Sequence, residues 1–145
     1  MRTVLIVDDD DYARKLYWLM LAKRGFEVLE ANDGREAIRV VEKRPVHIVI
    51  TDIFMPEKDG FELIAYLRKM WPDIRIVAVS GGFSHPGRGF HLDSSQYLHM
   101  ARGIGADIVL SKPVDKNAII KAVDDLFEAQ IVACGSHNLS TADNP

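Results

Sequence analysis

The sequence lacks several features that would point to particular classes of protein. It has one cysteine, Cys134, in 145 residues, so an internal disulfide bond is excluded. No apolar run approaches the roughly 20 residues that a membrane-spanning helix needs, and the N-terminus has no signal-peptide pattern. The net charge of -3 does not favour nucleic acid, whose binders usually carry a basic patch. These absences predict a cytoplasmic protein with no membrane span and no direct nucleic-acid contact.

Apolar runs recur along the chain at regular intervals. Three nearly continuous runs, Thr3–Val7, Val46–Thr51 and Ile74–Val79, are typical of strands buried on both faces of a parallel sheet. Shorter strands are predicted at Phe26–Glu30 and Ile108–Leu110. About five strands alternating with about five helices predict an α/β fold with a doubly wound, five-stranded parallel sheet in one domain.

Helical spacing of apolar residues separates these strands. In the first helix the predicted inward face consists of Ala13, Leu16, Tyr17, Met20 and Leu21. The last helix, capped by Asp115, repeats the pattern up to Phe127. We therefore predict a folded domain over residues 1–130, with an extended loop at about 81–94, and a flexible polar tail over 131–145.

Polar side chains stand where the predicted strands end. Asp8 and Asp9 follow the first strand, and Asp52, Ser80 and Lys112 follow the third, fourth and fifth strands. Because parallel strands present their carboxyl ends at one edge of the sheet, we expect these side chains to converge. Three carboxylates, a hydroxyl and an ammonium suit a Mg²⁺ ion and an aspartate that accepts a phosphoryl group.

With these residues at these positions, the chain resembles the receiver domains of two-component response regulators (the CheY-like superfamily), in their single-domain form. The resemblance covers roughly residues 3–128 and is specific, because separate positions agree, each at a strand end. It implies a flavodoxin-like (βα)₅ fold with strand order 2-1-3-4-5. It also implies a signalling switch that catalyses only its own phosphotransfer and autodephosphorylation, rather than an enzyme with an external substrate.

The resemblance assigns a role to each acidic residue and to the lysine. Asp52 would be the phosphoacceptor. Mg²⁺ would be held by Asp9, by Asp52 and by the main-chain carbonyl of Phe54, with Asp8 acting through water. Lys112 would pair with the phosphoacceptor and then with the phosphoryl oxygens, a task that suits a mobile point charge.

Further positions complete the resemblance, and one departs from it. Ser80 would be the switch hydroxyl, Gly81 would leave room for the phosphoryl donor, and Pro113 would follow a cis peptide bond. Many family members carry an aromatic residue three positions before the lysine, where this chain has Val109. We therefore expect any switch motion to proceed without that aromatic side chain.

The stretch at 83–93 is longer than the family usually has. It could be a lid or partner-docking loop, or a tolerated surface insertion. Three histidines, His85, His91 and His99, lie in or near this stretch, but their spacing matches no zinc signature.

Three functional hypotheses follow. The leading one is a receiver that a sensor histidine kinase or a histidine phosphotransfer protein phosphorylates, and that then acts on an unknown downstream protein. No output domain fits after about Phe127. The alternative is a pseudo-receiver, a binding module that uses the loop after the fourth strand without phosphorylation. A Mg²⁺-dependent phosphatase with an aspartyl nucleophile is disfavoured, because Phe54 stands where such enzymes carry a general acid.

Overall fold

A computed structural model describes residues 2–53, 60–80, 94–112 and 114–142. The predicted ligand Phe54, Gly81 and Pro113 lie outside these ranges, as does the loop at 81–93. The elements are β1 Thr3–Val7, α1 Asp11–Lys23, β2 Glu27–Ala31, α2 Gly34–Lys43, β3 Ile48–Asp52, α3 Gly60–Met70, β4 Arg75–Ser80, α4 Ser94–Ile104, β5 Ile108–Ser111 and α5 Lys116–Ala142.

The five strands form one parallel sheet in the order β2-β1-β3-β4-β5. This confirms the doubly wound, flavodoxin-like fold that the sequence predicted. The register aligns the carboxyl ends of the strands, with Val7 opposite Thr51 and Ser80 opposite Ser111. Residues after these strands therefore emerge at the same edge of the sheet.

The central strands are buried on both faces, and each face has its own core. Leu5 and Val7 of β1 pack under α2, α3 and α4, whereas Val4 and Ile6 pack under α1 and α5. This alternation follows from the two-residue period of a strand. Covering both faces explains why β1 and β3 appear in the sequence as continuous apolar runs.

Two sequence predictions about helix faces have different outcomes. The apolar residues of α5 that we expected to face inward are buried: Ile119, Ala122, Val123, Leu126 and Phe127. In α1 the prediction was wrong for Leu16, which is 42% exposed. The helix packs on the sheet through Tyr17 and Leu21. Leu16 precedes Tyr17 by one residue, and the rotation of the helix over that one residue directs its side chain toward solvent.

The last helix is longer than the sequence predicted. Helix α5 continues to Ala142, through the segment from 131 that we expected to be an irregular tail. That segment contains no proline before Pro145, so no residue in it prevents the helical hydrogen bonds from continuing. The domain boundary at 130 stays a prediction. In the described ranges, no helix is both long and apolar enough to cross a membrane.

Candidate functional site

Three carboxylates meet at the carboxyl edge of the sheet. Asp8 and Asp9 follow β1, and Asp52 is the last residue of β3. One oxygen of each lies within 4.8 Å of the others, and within the described ranges no other such group of three metal-ligating side chains occurs. We call Asp8, Asp9 and Asp52 the acidic cluster.

Lys112 reaches the acidic cluster from the end of β5, which is separated from β3 by β4. Its Nζ donates to Asp52 Oδ2 at 2.9 Å and lies 3.6 Å from Asp8 Oδ2. Burial would lower the pKa of Lys112, but the charges of Asp52 and Asp8 raise it overall. Lys112 therefore stays a cation, and the structure brings it to the carboxylates as the strand-end positions predicted.

Asp8 is the most buried member of the acidic cluster, with 2% of its surface exposed. Its Oδ1 accepts a hydrogen bond from the Asp10 N–H at 2.9 Å. Burial is the main reason that its pKa rises from 3.8 to about 6. The Asp10 N–H opposes the rise, and the charges of Asp52 and Asp9 add to it. A buried carboxylate beside two others is thus short of positive charge even with one lysine present.

The backbone around Asp52 is fixed by close packing. The buried Thr51 hydroxyl donates to the Asp52 carbonyl at 2.8 Å, and the Ile53 N–H donates to the Val79 carbonyl at 3.1 Å. Gly60, the first residue of α3, donates its N–H to the Ile53 carbonyl at 2.8 Å. A Cβ on Gly60 would lie 2.4 Å from the Asp52 carbonyl oxygen, so no larger residue fits without moving the phosphoacceptor candidate.

Sequence reasoning missed Gly60 as part of the site. The observation that could have identified its role is its position, since it begins the helix that follows Asp52. A glycine at a helix start is often a sign that two backbone segments approach closely.

Helix α1 contributes a cavity beside Lys112. The cavity has a volume of about 590 Å³ and is lined by both apolar and charged side chains, including Leu16, Tyr17, Met20 and Lys112. Burial raises the pKa of the Tyr17 hydroxyl, and the Lys112 charge partly offsets this. Sequence reasoning missed Tyr17 as a neighbour of the site, because its spacing marked it only as a core residue.

Asp10 and Asp11 stabilise the start of α1. The Asp10 side chain accepts from the Tyr12 N–H at 2.9 Å, which makes it the N-cap residue. Asp11 lies in the first turn and pairs with Arg14. Neither belongs to the acidic cluster.

The remaining predicted site residues are placed less completely. Ser80 ends β4 beside Ser111 of β5, and only its backbone is described. Val109 is half-buried in β5 and packs against the core on the α4 side. His99 is exposed on α4. The roles of these residues stay predictions.

The donor set of the acidic cluster fits a magnesium ion. Mg²⁺ prefers hard oxygen ligands and is bound through one or two carboxylates plus waters. Asp9 is exposed whereas Asp8 and Asp52 are buried, so the cluster joins the interior to solvent. Bound Mg²⁺ would supply the positive charge that the raised pKa of Asp8 shows to be lacking.

Comparisons with known proteins agree with this geometry. The family model described as "Response regulator receiver domain" matches residues 4–124. The chain is 34% identical over 125 residues to the transcriptional regulatory protein GlrR of Escherichia coli K12, covering 86% of this chain and 26% of that protein. It is 44% identical over 133 residues to the sensor kinase CckA of Brucella abortus, covering 88% of this chain and 13% of that protein. This chain thus spans about a quarter or less of both relatives.

A solved structure matches over nearly its whole length. The chemotaxis protein CheY4 of Vibrio cholerae superposes with a TM-score of 0.73 at 26% identity, covering 87% of this chain and 98% of that one. The fold, the residues at the strand ends and the family-model match all indicate the same family. The chain belongs to the response regulator receiver domain family of two-component signalling.

Proposed function

We propose that this chain is a phosphoacceptor response regulator in which Asp52 accepts a phosphoryl group in a Mg²⁺-dependent reaction. The observation that carries the proposal is the contact of 2.9 Å between Lys112 Nζ and Asp52 Oδ2, made inside a group of three carboxylates. An ammonium and an acidic cluster around one strand-end aspartate form a site suited to phosphoryl transfer.

Receiver domains bind Mg²⁺ at an acidic pocket, and in this chain Asp9 and Asp52 would be the side-chain ligands. The Phe54 carbonyl would complete the protein ligands, with Asp8 acting through water. When bound, Mg²⁺ neutralises charge on the phosphoryl oxygens and lets two anions approach each other. The residues of the chain supply the nucleophile, its orientation and a second cation.

Phosphoryl transfer would begin with attack by an Asp52 carboxylate oxygen on phosphorus. As that bond forms, the bond from phosphorus to the imidazole nitrogen of the donor breaks, and the nitrogen keeps the electron pair and takes up a proton. Lys112 exchanges its contact with Asp52 for one with a phosphoryl oxygen. Because Gly60 and Thr51 hold the Asp52 backbone, the carboxylate needs little reorganisation to react.

A protein donor needs a docking surface, and α1 offers one beside Lys112. Tyr12, Leu16 and Leu19 are 73%, 42% and 45% exposed and follow one another at helical spacing. Tyr12 and Leu16 line the same cavity as Lys112. This apolar stripe supports a protein partner, and we assign it to a sensor histidine kinase or a histidine phosphotransfer protein.

The consequences of phosphorylation are part of the same proposal. The Ser80 hydroxyl would bind the phosphoryl group and draw the end of β4 inward. Val109 cannot swing as an aromatic ring does, so the segment at 81–93 would carry the change to a downstream protein. A phosphorylation-independent binding module remains the competing function, and the Val109 side chain is the observation that favours it.

Intact-mass spectrometry after incubation with a small acyl phosphate and Mg²⁺ tests the proposal. We expect a gain of one phosphoryl group that is lost in Asp52→Asn and with a chelator. Asp73→Asn is the matched control, because Asp73 is exposed in the turn before β4 at the opposite edge of the sheet. No gain in folded wild-type protein would reject the receiver activity and favour the binding module.

A further inference from the structure

Arg14 of α1 lies behind the acidic cluster and is almost saturated with hydrogen bonds. Its Nη1 donates to the Asp8 carbonyl oxygen at 2.7 Å and to Asn32 Oδ1 at 3.2 Å. Its Nε donates to Glu30 Oε1 at 3.2 Å, and its Nη2 pairs with Asp11. Only 16% of the Arg14 side chain is exposed. One guanidinium thus ties α1 to the segment after β1 and to the end of β2.

The contact from Arg14 holds the one backbone group of Asp8 that its other hydrogen bonds do not engage, the carbonyl oxygen. The Asp8 N–H donates to the Ala31 carbonyl at 3.2 Å, and its carboxylate accepts from the Asp10 N–H at 2.9 Å. Arg14 takes the remaining backbone group, the Asp8 carbonyl. The residue that precedes Asp9 in the chain is therefore fixed at its N–H, its carbonyl and its side chain.

We infer that Arg14 is a positioning residue for the magnesium site, and that it increases Mg²⁺ affinity by fixing the backbone between Asp8 and Asp9. The inference rests on the proposed Mg²⁺-dependent function. Arg14 would not contact the ion. It would act as the outer hydrogen-bonding partners of metal ligands do, by orienting groups that bind.

Electrostatics alone predicts the opposite sign. A cation near a Mg²⁺ site repels the ion, so removing its charge should strengthen binding. Loss of orientation should weaken binding, by about 10-fold for such outer partners. The direction of the change in Arg14→Ala therefore distinguishes a positioning role from a simple charge effect.

Lys15 provides the matched control on the same helix. It is exposed, and in the described ranges its side chain makes no hydrogen bond or ion pair. Lys15→Ala removes the same formal charge one residue away and so measures the electrostatic term alone. Arg14→Lys keeps the charge but replaces the forked donor with a point donor. Asn32→Ala removes one Arg14 acceptor from an exposed loop position and leaves the arginine in place.

Isothermal titration calorimetry of the full chain with MgCl₂ gives the affinities, with circular dichroism as a check of folding. We expect Arg14→Ala to bind Mg²⁺ about 10-fold more weakly than wild type, and Lys15→Ala to bind equally or slightly more tightly. Arg14→Lys should recover part of the loss, and Asn32→Ala should weaken binding by less than Arg14→Ala does.

Equal or tighter binding by folded Arg14→Ala would overturn the inference while leaving the proposed function intact. If Arg14→Ala does not fold, unchanged affinity in both Arg14→Lys and Asn32→Ala would overturn it. Absence of Mg²⁺ binding by wild type would reject the proposed function, and this inference with it.

Discussion

The two edges of the sheet carry clusters of charged groups with opposite charge balance. At the carboxyl edge, the three carboxylates of the acidic cluster face one ammonium. At the amino edge, Arg68 and Arg75 face the single carboxylate of Asp107 at 2.9 and 3.5 Å. Asp107 Oδ2 also accepts from the Ile76 N–H at 2.8 Å. We call Arg68, Arg75 and Asp107 the arginine clamp.

Within the arginine clamp, Arg68 is satisfied largely by backbone groups, whereas the buried Nε of Arg75 has no hydrogen-bond partner among the described residues. Arg68 donates to the carbonyl oxygens of Gly105, Pro72 and Ile74 at 3.1, 3.0 and 3.1 Å, besides its pair with Asp107. It joins the end of α3 to the turns before β4 and β5. In the acidic cluster, burial and the neighbouring carboxylates raise the pKa of Asp8. The paired charges of Arg68 and Asp107 stabilise one edge of the sheet, whereas the excess of negative charge at the other edge forms a site suited to a cation.

The largest effect that we expect comes from removing Arg68. Arg68→Ala removes the side-chain donor of three carbonyl oxygens and one of the partners of the Asp107 carboxylate, which should lower the free energy of unfolding by about 4 kcal/mol. Arg75→Ala removes the same charge but breaks only the longer contact with Asp107, and should cost about 1 kcal/mol. Urea unfolding measures both. Equal losses would mean that net charge, rather than hydrogen bonding, governs this edge.

The next effect is a pH dependence at the acidic cluster. The pKa of Asp8 is about 6 in the folded protein and 3.8 as the ordinary value, so the folded state binds more protons between these pH values. Stability without metal should therefore fall as pH rises from about 4 to about 6, by about 3 kcal/mol at most, and then level off.

Urea unfolding across this range, in wild type and Asp8→Asn, isolates the contribution of Asp8. The difference between the two curves removes the titration of the other carboxylates. A difference that does not change with pH would show that Asp8 stays ionised, and would remove the contrast between the two edges.

Matched substitutions should change stability in opposite directions at the two edges. Without metal at pH 7, Asp8→Asn removes a buried like charge and should raise the free energy of unfolding by about 2 kcal/mol. Asp107→Asn weakens two arginine contacts and should lower it by about 1 kcal/mol. Thermal and urea unfolding would contradict the comparison if both variants changed stability in the same direction.

The sequence predicted the acidic cluster because its members stand at strand ends. Each of Asp8, Asp52 and Lys112 follows or ends an apolar run, and a parallel sheet brings such positions together whatever the intervening chain. The strand order itself came from the resemblance. The buried face of α5 was also predictable, since its apolar residues keep helical spacing up to Phe127.

The arginines and the glycine could not be predicted in the same way. Arg14 and Arg68 act through long side chains that reach backbone carbonyls in distant turns, and no periodic pattern marks those acceptors. Gly60 is required by an approach of two backbone segments that appears only in the folded chain. The continuation of α5 to Ala142 was missed because the prediction relied on the polar composition of this segment and did not weigh its lack of proline before Pro145.

The smallest expected effect is stabilisation by Mg²⁺, and it should depend on the acidic cluster alone. At free Mg²⁺ ten times its dissociation constant, a ligand that binds only the folded state adds about 1.4 kcal/mol to the free energy of unfolding. We expect this gain in wild type and in Asp107→Asn at pH 7, and its loss in Asp9→Asn.

Because protons compete with the ion for the carboxylates, the gain in stability from Mg²⁺ should also shrink as pH falls below about 6, where Asp8 takes up a proton. Thermal unfolding with and without MgCl₂ measures it, with KCl at equal ionic strength as the salt control. If Mg²⁺ stabilised Asp9→Asn as much as wild type, the ion would bind somewhere other than the acidic cluster. The excess negative charge at this edge would then have no role in binding Mg²⁺.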